Sequence, residues 1–491
     1  MIALPRTVQK AILLLSCTFL GLTCGTLYMY SSYSPQFARQ VNYTASDSSY
    51  IALSGTIGIA IGGPIAGILV DKRGYTAALA LGGTLIISGY MIMRRQFDYT
   101  YHNLPLSCSL TLMIGIGSTA INSVTLKCCA VSFPSIRGVA TSLPLSLYGL
   151  SALFYSVAAS IFYPGDTSSF LGFVAGSIFC ILLVCSPSII LADREHKLKR
   201  SAAKYHKSSH PDIKSDALPL SPSVTTDYQF GEAALSNESL LKNPKFWLLF
   251  IILGSLASLG QMYIYSVGYI VKALVSYSLR NEVDITPILL QETETIIQHD
   301  QQFQVGLLSI ANCLGRIISG IMGDIITQSF NKSRTWLLFF PSIGMMITQL
   351  LSLTTRTYDN LPLNSLLTGL FYGFTFCIMP LIVGDTFGLD NFSYNWGVVN
   401  MAPILPSYYF TMLFGSIYDS KSQFSEQHGG LVCLLGNQCY NSIFKITLLV
   451  SIFAVIIVSI LTIGPKLSLK TKKTLPLTSS PLKQEVNEKV S

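Results

Sequence analysis

Arg316 is the residue in this sequence that most demands a chemical account. It stands inside an apolar run, residues 303–326, and is the only charged residue deep within any such run of the chain. An unpaired guanidinium near a bilayer centre costs at least ~2.5–3.5 kcal/mol on insertion scales, so it must face water, a partner or an anionic solute. No acidic residue lies at the same depth to neutralise it. Asn312, four residues earlier, falls on the same helical face and can hold the guanidinium or share its ligand through an amide hydrogen bond. The pair is a candidate half-site for an anion. A second role stays open, in which Arg316 is structural and is satisfied by carbonyls and water at a helix break.

Other chemistries find little to work with. None of the six histidines falls inside an apolar run, and no cysteine spacing forms a metal framework. An intramembrane enzyme would need a nucleophile with a base, or a metal cluster, at that depth, and it is the weakest alternative function. No phosphate loop is present, so pumping driven by ATP is disfavoured, and no cofactor or metal is expected. Most of the eleven cysteines, Cys17, Cys24, Cys180, Cys313 and Cys377 among them, sit in apolar runs as small core filler. Cys433 and Cys439 differ, because they flank Gly436-Asn437-Gln438 in a loop expected outside the cytosol. They are either a disulfide or two free thiols.

What positions these residues follows from composition. The chain has 491 residues, 50% hydrophobic and 11% charged, against about 25% charged for a soluble domain. Uncharged runs of about twenty residues recur, each long enough to cross roughly 30 Å of hydrocarbon. The expected fold is therefore all-α, a polytopic membrane protein of twelve transmembrane helices. The predicted spans are 11–31, 50–70, 75–93, 107–126, 138–161 and 169–191, then 246–271, 303–326, 335–354, 362–384, 396–418 and 443–464. The first is too long for a signal peptide and lacks a clear cleavage site. Residues 1–191 form one six-helix bundle and 246–464 a second; 192–245, rich in Lys, Arg, Ser and Pro, reads as a largely disordered linker and 465–491 as a similar tail.

The net charge of +8 comes from basic residues in loops and tails beside apolar spans rather than on one folded face, so nucleic acid is not an expected partner. Most Lys and Arg lie on the side that carries both termini, which the positive-inside rule makes cytosolic. Arg94 and Arg95 run against that count. In this topology the sequon at Asn42 lies in the first non-cytosolic loop and is a glycosylation candidate, whereas those at Asn237, Asn331 and Asn391 stay unmodified.

Two internal matches relate the halves. Residues 67–71 read Gly-Ile-Leu-Val-Asp near the end of span 2, and residues 320–324 read Gly-Ile-Met-Gly-Asp near the end of span 8. Span 5 opens on Gly138-Val139 with Pro144 after it, and span 11 opens on Gly397-Val398 with Pro403 at the same interval. Matches at corresponding places favour duplication of a six-helix unit.

On these residues the chain resembles the major facilitator superfamily, whose loop between helices 2 and 3 reads Gly-x-x-x-Asp-Arg/Lys-x-Gly. Gly67, Asp71, Lys72 and Gly74 match it, and Gly320 and Asp324 are the partial copy in the second half. A glycine there allows close helix approach, and the aspartate can cap and pair across a cytosolic gate. Within the superfamily the chain is similar to the fungal Mch group, relatives of animal monocarboxylate transporters and plant nodulin-like carriers. Residues 30–35 (Tyr-Ser-Ser-Tyr-Ser-Pro), 137–141 (Arg-Gly-Val-Ala-Thr) and 312–316 (Asn-Cys-Leu-Gly-Arg) carry that likeness.

The resemblance implies a secondary transporter that moves a small solute by alternating access in a vacuolar membrane; the sequence leaves the oligomeric state open, with a monomer the expectation. It implies that spans 1, 4, 7 and 10 line the cavity, through Thr26 and Tyr30, Ser118 and Asn122, Gln261 and Tyr265, Tyr372 and Thr375. Of these, Asn122, Gln261 and Tyr265 join Arg316 and Asn312 as candidate substrate contacts. The chain also departs from the monocarboxylate transporters. They carry an aspartate where Asn312 stands, and an acidic, glycine-rich aromatic motif in helix 1 that is absent here, which argues against proton-coupled symport by their route. A non-transporting membrane sensor of the same fold is the alternative function.

Overall fold

The computed structural model describes residues 5–43, 45–163, 165–209, 240–279, 287–425 and 430–473. Eleven continuous helices among them are long and apolar enough to cross a membrane. In chain order, span 1 comprises Arg6–Cys24, a 3-10 turn Thr26–Met29 and the outer helix Tyr30–Val41; span 2 is Ala45–Arg73, span 3 Tyr75–Asp98, span 4 Leu104–Ser132, span 5 Arg137–Phe162 and span 6 Thr167–Ser209. The second half holds span 7 (Pro244–Leu279), span 8 (Pro287–Gln328), span 9 (Phe339–Thr354), span 10 (Leu361–Phe387) and span 12 (Asn441–Lys473).

Span 11, predicted as one helix over 396–418, is two: Phe392–Val399 and Ile404–Ser420. Pro403 explains the break, since its ring blocks a helical N–H and disfavours helix in the residue before it. Span 1 breaks at Gly25, beside span 5. A Cβ on Gly25 would come within 2.2 Å of the Tyr148 carbonyl oxygen, and one on Gly21 within 2.1 Å of that of Pro144, so the two glycines let spans 1 and 5 touch along their backbones.

The packing partners repeat with a shift of six. Spans 1 and 5, 1 and 6, 2 and 4, and 3 and 6 pack together, and so do 7 and 11, 7 and 12, 8 and 10, and 9 and 12. Buried apolar side chains follow the same division. One cluster runs from Leu13 to Ala192 and two others take in residues from Leu240 to Leu461, with Leu126 and Leu145 the first-half members that join them. Large apolar side chains left on the outside, such as Leu15, Phe19, Ile65, Val184 and Ile456, suit a lipid solvent.

Two expectations change. The helix of span 6 continues past 191 to Ser209, so the polar stretch begins as helix. Its polar face is held by contacts to span 3, which composition could not reveal; residues 210–239, with Asn237, and the tail from 474 lie outside the described residues. The loop between spans 11 and 12 also adds a two-stranded antiparallel hairpin, Gln423–Ser425 against Gly430–Val432.

Candidate functional site

At one end of the molecule the halves are joined by carboxylates that cap helix starts. Asp71, at the end of span 2, is buried and accepts from the backbone N–H groups of Ser393 (3.4 Å) and Tyr394 (2.9 Å), in the first turn of span 11. Asp324, at the end of span 8, accepts from those of Gly138 (2.7 Å) and Val139 (2.9 Å), in the first turn of span 5. Each half thus presents an anion to the positive end of a helix dipole in the other, and each acceptance satisfies donors that a helix start leaves unpaired.

Glycines bring the backbones close enough. A Cβ on Gly67 would lie 2.5 Å from the Ser393 carbonyl oxygen, and one on Gly320 2.5 Å from that of Gly138. The second sequence match lands in a different register. Gly138 meets Gly320, whereas Gly397 meets Gly63, a helical turn away from the Ser393 that the carboxylate contact pairs with Gly138. The Gly-Val-Pro spacing is therefore offset by four residues from the structural repeat.

Cations complete the layer. Lys127 sends its Nζ to Asp71 Oδ1 (2.5 Å) and to the Asp390 carbonyl (2.9 Å). Arg334 reaches Asp385 (2.7 Å), Asp324 (3.1 Å) and the Gly323 carbonyl (2.9 Å), and Arg137 pairs with Asp385 from the other half. Sequence reading assigned the cationic part of the motif to Lys72, which is exposed; Lys127 does the pairing. Span 4 runs to Ser132 rather than ending at 126, so Lys127 is a second buried cation within a span. Gly74 adopts φ +94° and opens span 3, whose first N–H groups are capped by Asp193 from the extension of span 6, at 3.0 Å for Tyr75 and 3.3 Å for Thr76. Placing Asp193 in a linker concealed that role.

Span 2 packs along the short helix Phe392–Val399 and scarcely touches Ile404–Ser420. The halves therefore close on the face that holds the carboxylate caps and part toward the opposite face. Spans 5 and 8 remain in contact further in, from Gly138 and Asp324 to Gly149 and Asn312.

Arg316 lies on that inner contact, 4% exposed. Its Nε donates to Asn312 Oδ1 (2.9 Å), its Nη1 to the Leu145 carbonyl of span 5 (2.6 Å), and its guanidinium carbon lies 5.4 Å from the Tyr148 ring centroid. Gly149 of span 5 lies beside the pair, where a Cβ would make ordinary contact with Asn312 Oδ1 at 3.4 Å and the guanidinium at 3.5 Å. Among the described residues Nη2 donates no hydrogen bond and no carboxylate pairs with this arginine.

The expected lining residues separate into two groups. Thr26, Tyr30, Ser118 and Thr375 are spent on packing, bonded to Thr23, Ser48, Cys24 and Phe371 respectively. Asn122 keeps a buried Oδ1 without a partner among the described residues, Gln261 accepts from Ser407, and Tyr265 is half exposed. Tyr372 packs on Phe376, ring centroids 4.8 Å apart, and lies against Gly260 of span 7. Tyr28 and Tyr148, packed edge to face at 5.9 Å, were missed, because nothing in their sequence surroundings separates them from the other aromatics of apolar spans.

At the opposite face Cys433 and Cys439 are joined by a disulfide, and Gly436 between them sits against Tyr277 of span 7. Asn42 is exposed and ends span 1 in the left-handed region at φ 59°.

The profile of the Major Facilitator Superfamily matches residues 14–403. An uncharacterized membrane protein of Saccharomyces cerevisiae is 26% identical over 505 residues, covering 87% of this chain and 90% of that protein. A protein of Wickerhamomyces anomalus called probable transporter MCH1 is 25% identical over 431 residues, covering 84% and 81%. Among solved structures, the crystal structure of the Major Facilitator Superfamily transporter FucP in the outward conformation superposes with a TM-score of 0.52 at 14% identity, covering 90% of this chain and 97% of that one. With the profile spanning most of its length and the helix packing repeating about the same two bundles, this multi-pass membrane protein belongs to the Major Facilitator Superfamily.

Proposed function

We propose that the protein is a secondary transporter that carries a small organic anion by alternating access. The observation that carries the reading is the pairing of two reciprocal carboxylate caps on one face with the inner guanidinium of Arg316, which no carboxylate pairs among the described residues. Family membership and the names of the relatives support a transporter rather than an enzyme.

In this reading the captured conformation is closed at the cap face and open at the other. An arriving carboxylate is a stronger, forked acceptor for a guanidinium than the single Leu145 carbonyl. It takes Nη1 and Nη2, and the bond tying span 8 to span 5 is given up. The halves then rock, the caps at Asp71 and Asp324 part, and the solute leaves by the cap face. Asn312 orients Nε throughout. Since it is uncharged, no proton exchange at that position is part of the cycle.

The cap face is cytosolic in this proposal, with both termini on that side, and the membrane is the vacuolar one that the resemblance to the Mch group suggests. A reporter fused at either end and imaged in fungal cells checks the location. The functional test is uptake of organic anions into vesicles reconstituted with the purified protein. Arg316→Ala is expected to abolish uptake while elution and melting stay near those of the parent. Unchanged uptake would move Arg316 to a structural role.

A further inference from the structure

Arg94 and Arg95 both run against the positive-inside count, and packing accounts for only the first. Arg94 is held between spans 3 and 6: its Nε donates to Ser168 (3.2 Å) and lies 3.8 Å from Asp98, and Gly172 leaves room for its guanidinium, which a Cβ there would meet at 2.5 Å. Arg95 is exposed, and among the described residues its side chain makes no hydrogen bond or ion pair. Instead it lines a cavity of about 340 Å³ at the end of span 3 remote from the caps, together with Ile92, Gln96, Tyr99, Tyr101 and Leu106. That volume is at the small end of the range for ligand pockets.

The walls are fixed from beneath. Gln96 is 3% exposed and its amide is fully engaged: Nε2 reaches the Tyr43 hydroxyl (3.0 Å) and the carbonyls of Tyr101 (3.1 Å) and Asn103 (3.2 Å), and Oε1 accepts from Ser107 (2.9 Å). These bonds fold the loop after span 3 back onto the helix end, through Thr100 at φ 48°, and so set Tyr99 and Tyr101 beside Arg95.

The cavity lies where the lipid-facing side of span 3 ends. Met91 and Ile92 are exposed, and Arg95 and Tyr99 follow them at helical spacing, Tyr99 being 71% exposed. This face passes from aliphatic to charged and phenolic groups as a bilayer passes from acyl chains to headgroups. Its charge selects the headgroup. No lining residue is acidic, and Asp98 at the same helix end is paired with Arg94. A phosphate gains a charge-assisted bond from the guanidinium, with phenol hydroxyls as further donors, whereas a headgroup ammonium gains no ion pair.

We propose that this cavity binds an anionic phospholipid of the leaflet opposite the caps, its phosphate on Arg95 and its first acyl carbons along Ile92 and Leu106. The site is separate from Arg316 and does not depend on what the protein carries.

The test is native mass spectrometry of the purified full chain in a non-ionic detergent, with phosphatidylglycerol or phosphatidylcholine of matched chains added. The parent should hold phosphatidylglycerol about tenfold more tightly than phosphatidylcholine, the ratio expected from one hydrogen bond to a charged group. Arg95→Gln should bring the two lipids to about the same affinity. Arg39→Gln, which removes an exposed charge from the outer helix of span 1, should keep the preference of the parent; melting of both variants controls for folding. Glycerol phosphate, which offers the anion without chains, should not compete at the same concentration. Equal retention of both lipids by the parent, an unchanged preference in Arg95→Gln, or the same loss in Arg39→Gln would overturn the site. Competition by glycerol phosphate as strong as that by lipid would overturn a phospholipid as its occupant.

Discussion

At the scale of single residues, the centre of the molecule is governed by what Arg316 lacks. A buried guanidinium with no carboxylate partner among the described residues keeps its charge available to a visiting anion, and the amide of Asn312 fixes its geometry without cancelling it. Introducing a carboxylate there gives a signed pH prediction. Asn312→Asp should pair with Arg316 when ionised and compete with the solute, so uptake should be depressed above the pKa of the new group and recover as pH falls through it. A pH profile of uptake, flat for the parent over the same interval, checks this. Retention of the positive charge alone should not suffice: Arg316→Lys removes the planar fork, and uptake should fall at least tenfold by initial rate. The arginine and its asparagine were legible in the sequence, since a charge in an apolar run is conspicuous. Its acceptor was not, because the Leu145 carbonyl belongs to a backbone 171 residues away.

At the scale of elements, the helix ends carry the switch. Asp71 and Asp324 stabilise this conformation only while the opposite half lies against them, and a charge-assisted bond to a backbone N–H contributes ~1.5–3 kcal/mol. Asp324→Asn should therefore shift the population of closed caps by about one to two orders of magnitude. The readout is labelling of a cysteine placed on the cap face, which should quicken by a comparable factor. Asp71→Asn should do more, since it also leaves Lys127 buried without its carboxylate. Steric evidence is independent of charge. Gly320→Leu places a side chain where the Gly138 carbonyl and Ser142 already stand, so the caps cannot close and the variant should label rapidly while its transport is lost. The glycine and aspartate pairs were visible as repeats, but their partners were not. A repeat shows which residues correspond, and contact in a pseudo-symmetric pair runs instead between different helices of the two halves.

At the scale of the whole molecule, six-shifted packing, with one apolar cluster in the first half and two centred on the second, makes each half a unit that can move against the other. The interface between them is made of helix ends on one face and of spans 5 and 8 further in. The disulfide on the opposite face ties a short loop that packs on span 7. Replacing Cys433 and Cys439 together by alanine should destabilise the protein by about 2 kcal/mol, the loop-closure value for so short a ring, read as a lower melting temperature. Topology has its own check: an impermeant label should reach sites near residues 99–103 and 421–423 from the face opposite the one that exposes residues 329–333. Reactivity of all three from one face would contradict twelve crossings.

The sequence by itself determined the solvent, the number of spans, their division into two sixes and the residues at which the halves would be special. These depend on hydropathy and local pattern, which are properties of neighbouring residues. Only the tertiary structure decided that the carboxylates cap helices of the opposite half, that Lys127 rather than Lys72 neutralises Asp71, that span 11 bends at Pro403, and that Tyr28 and Tyr148 stand beside the arginine. Each is a contact between segments far apart in the chain, selected by how closely glycines let helices approach and by which buried charge finds a partner.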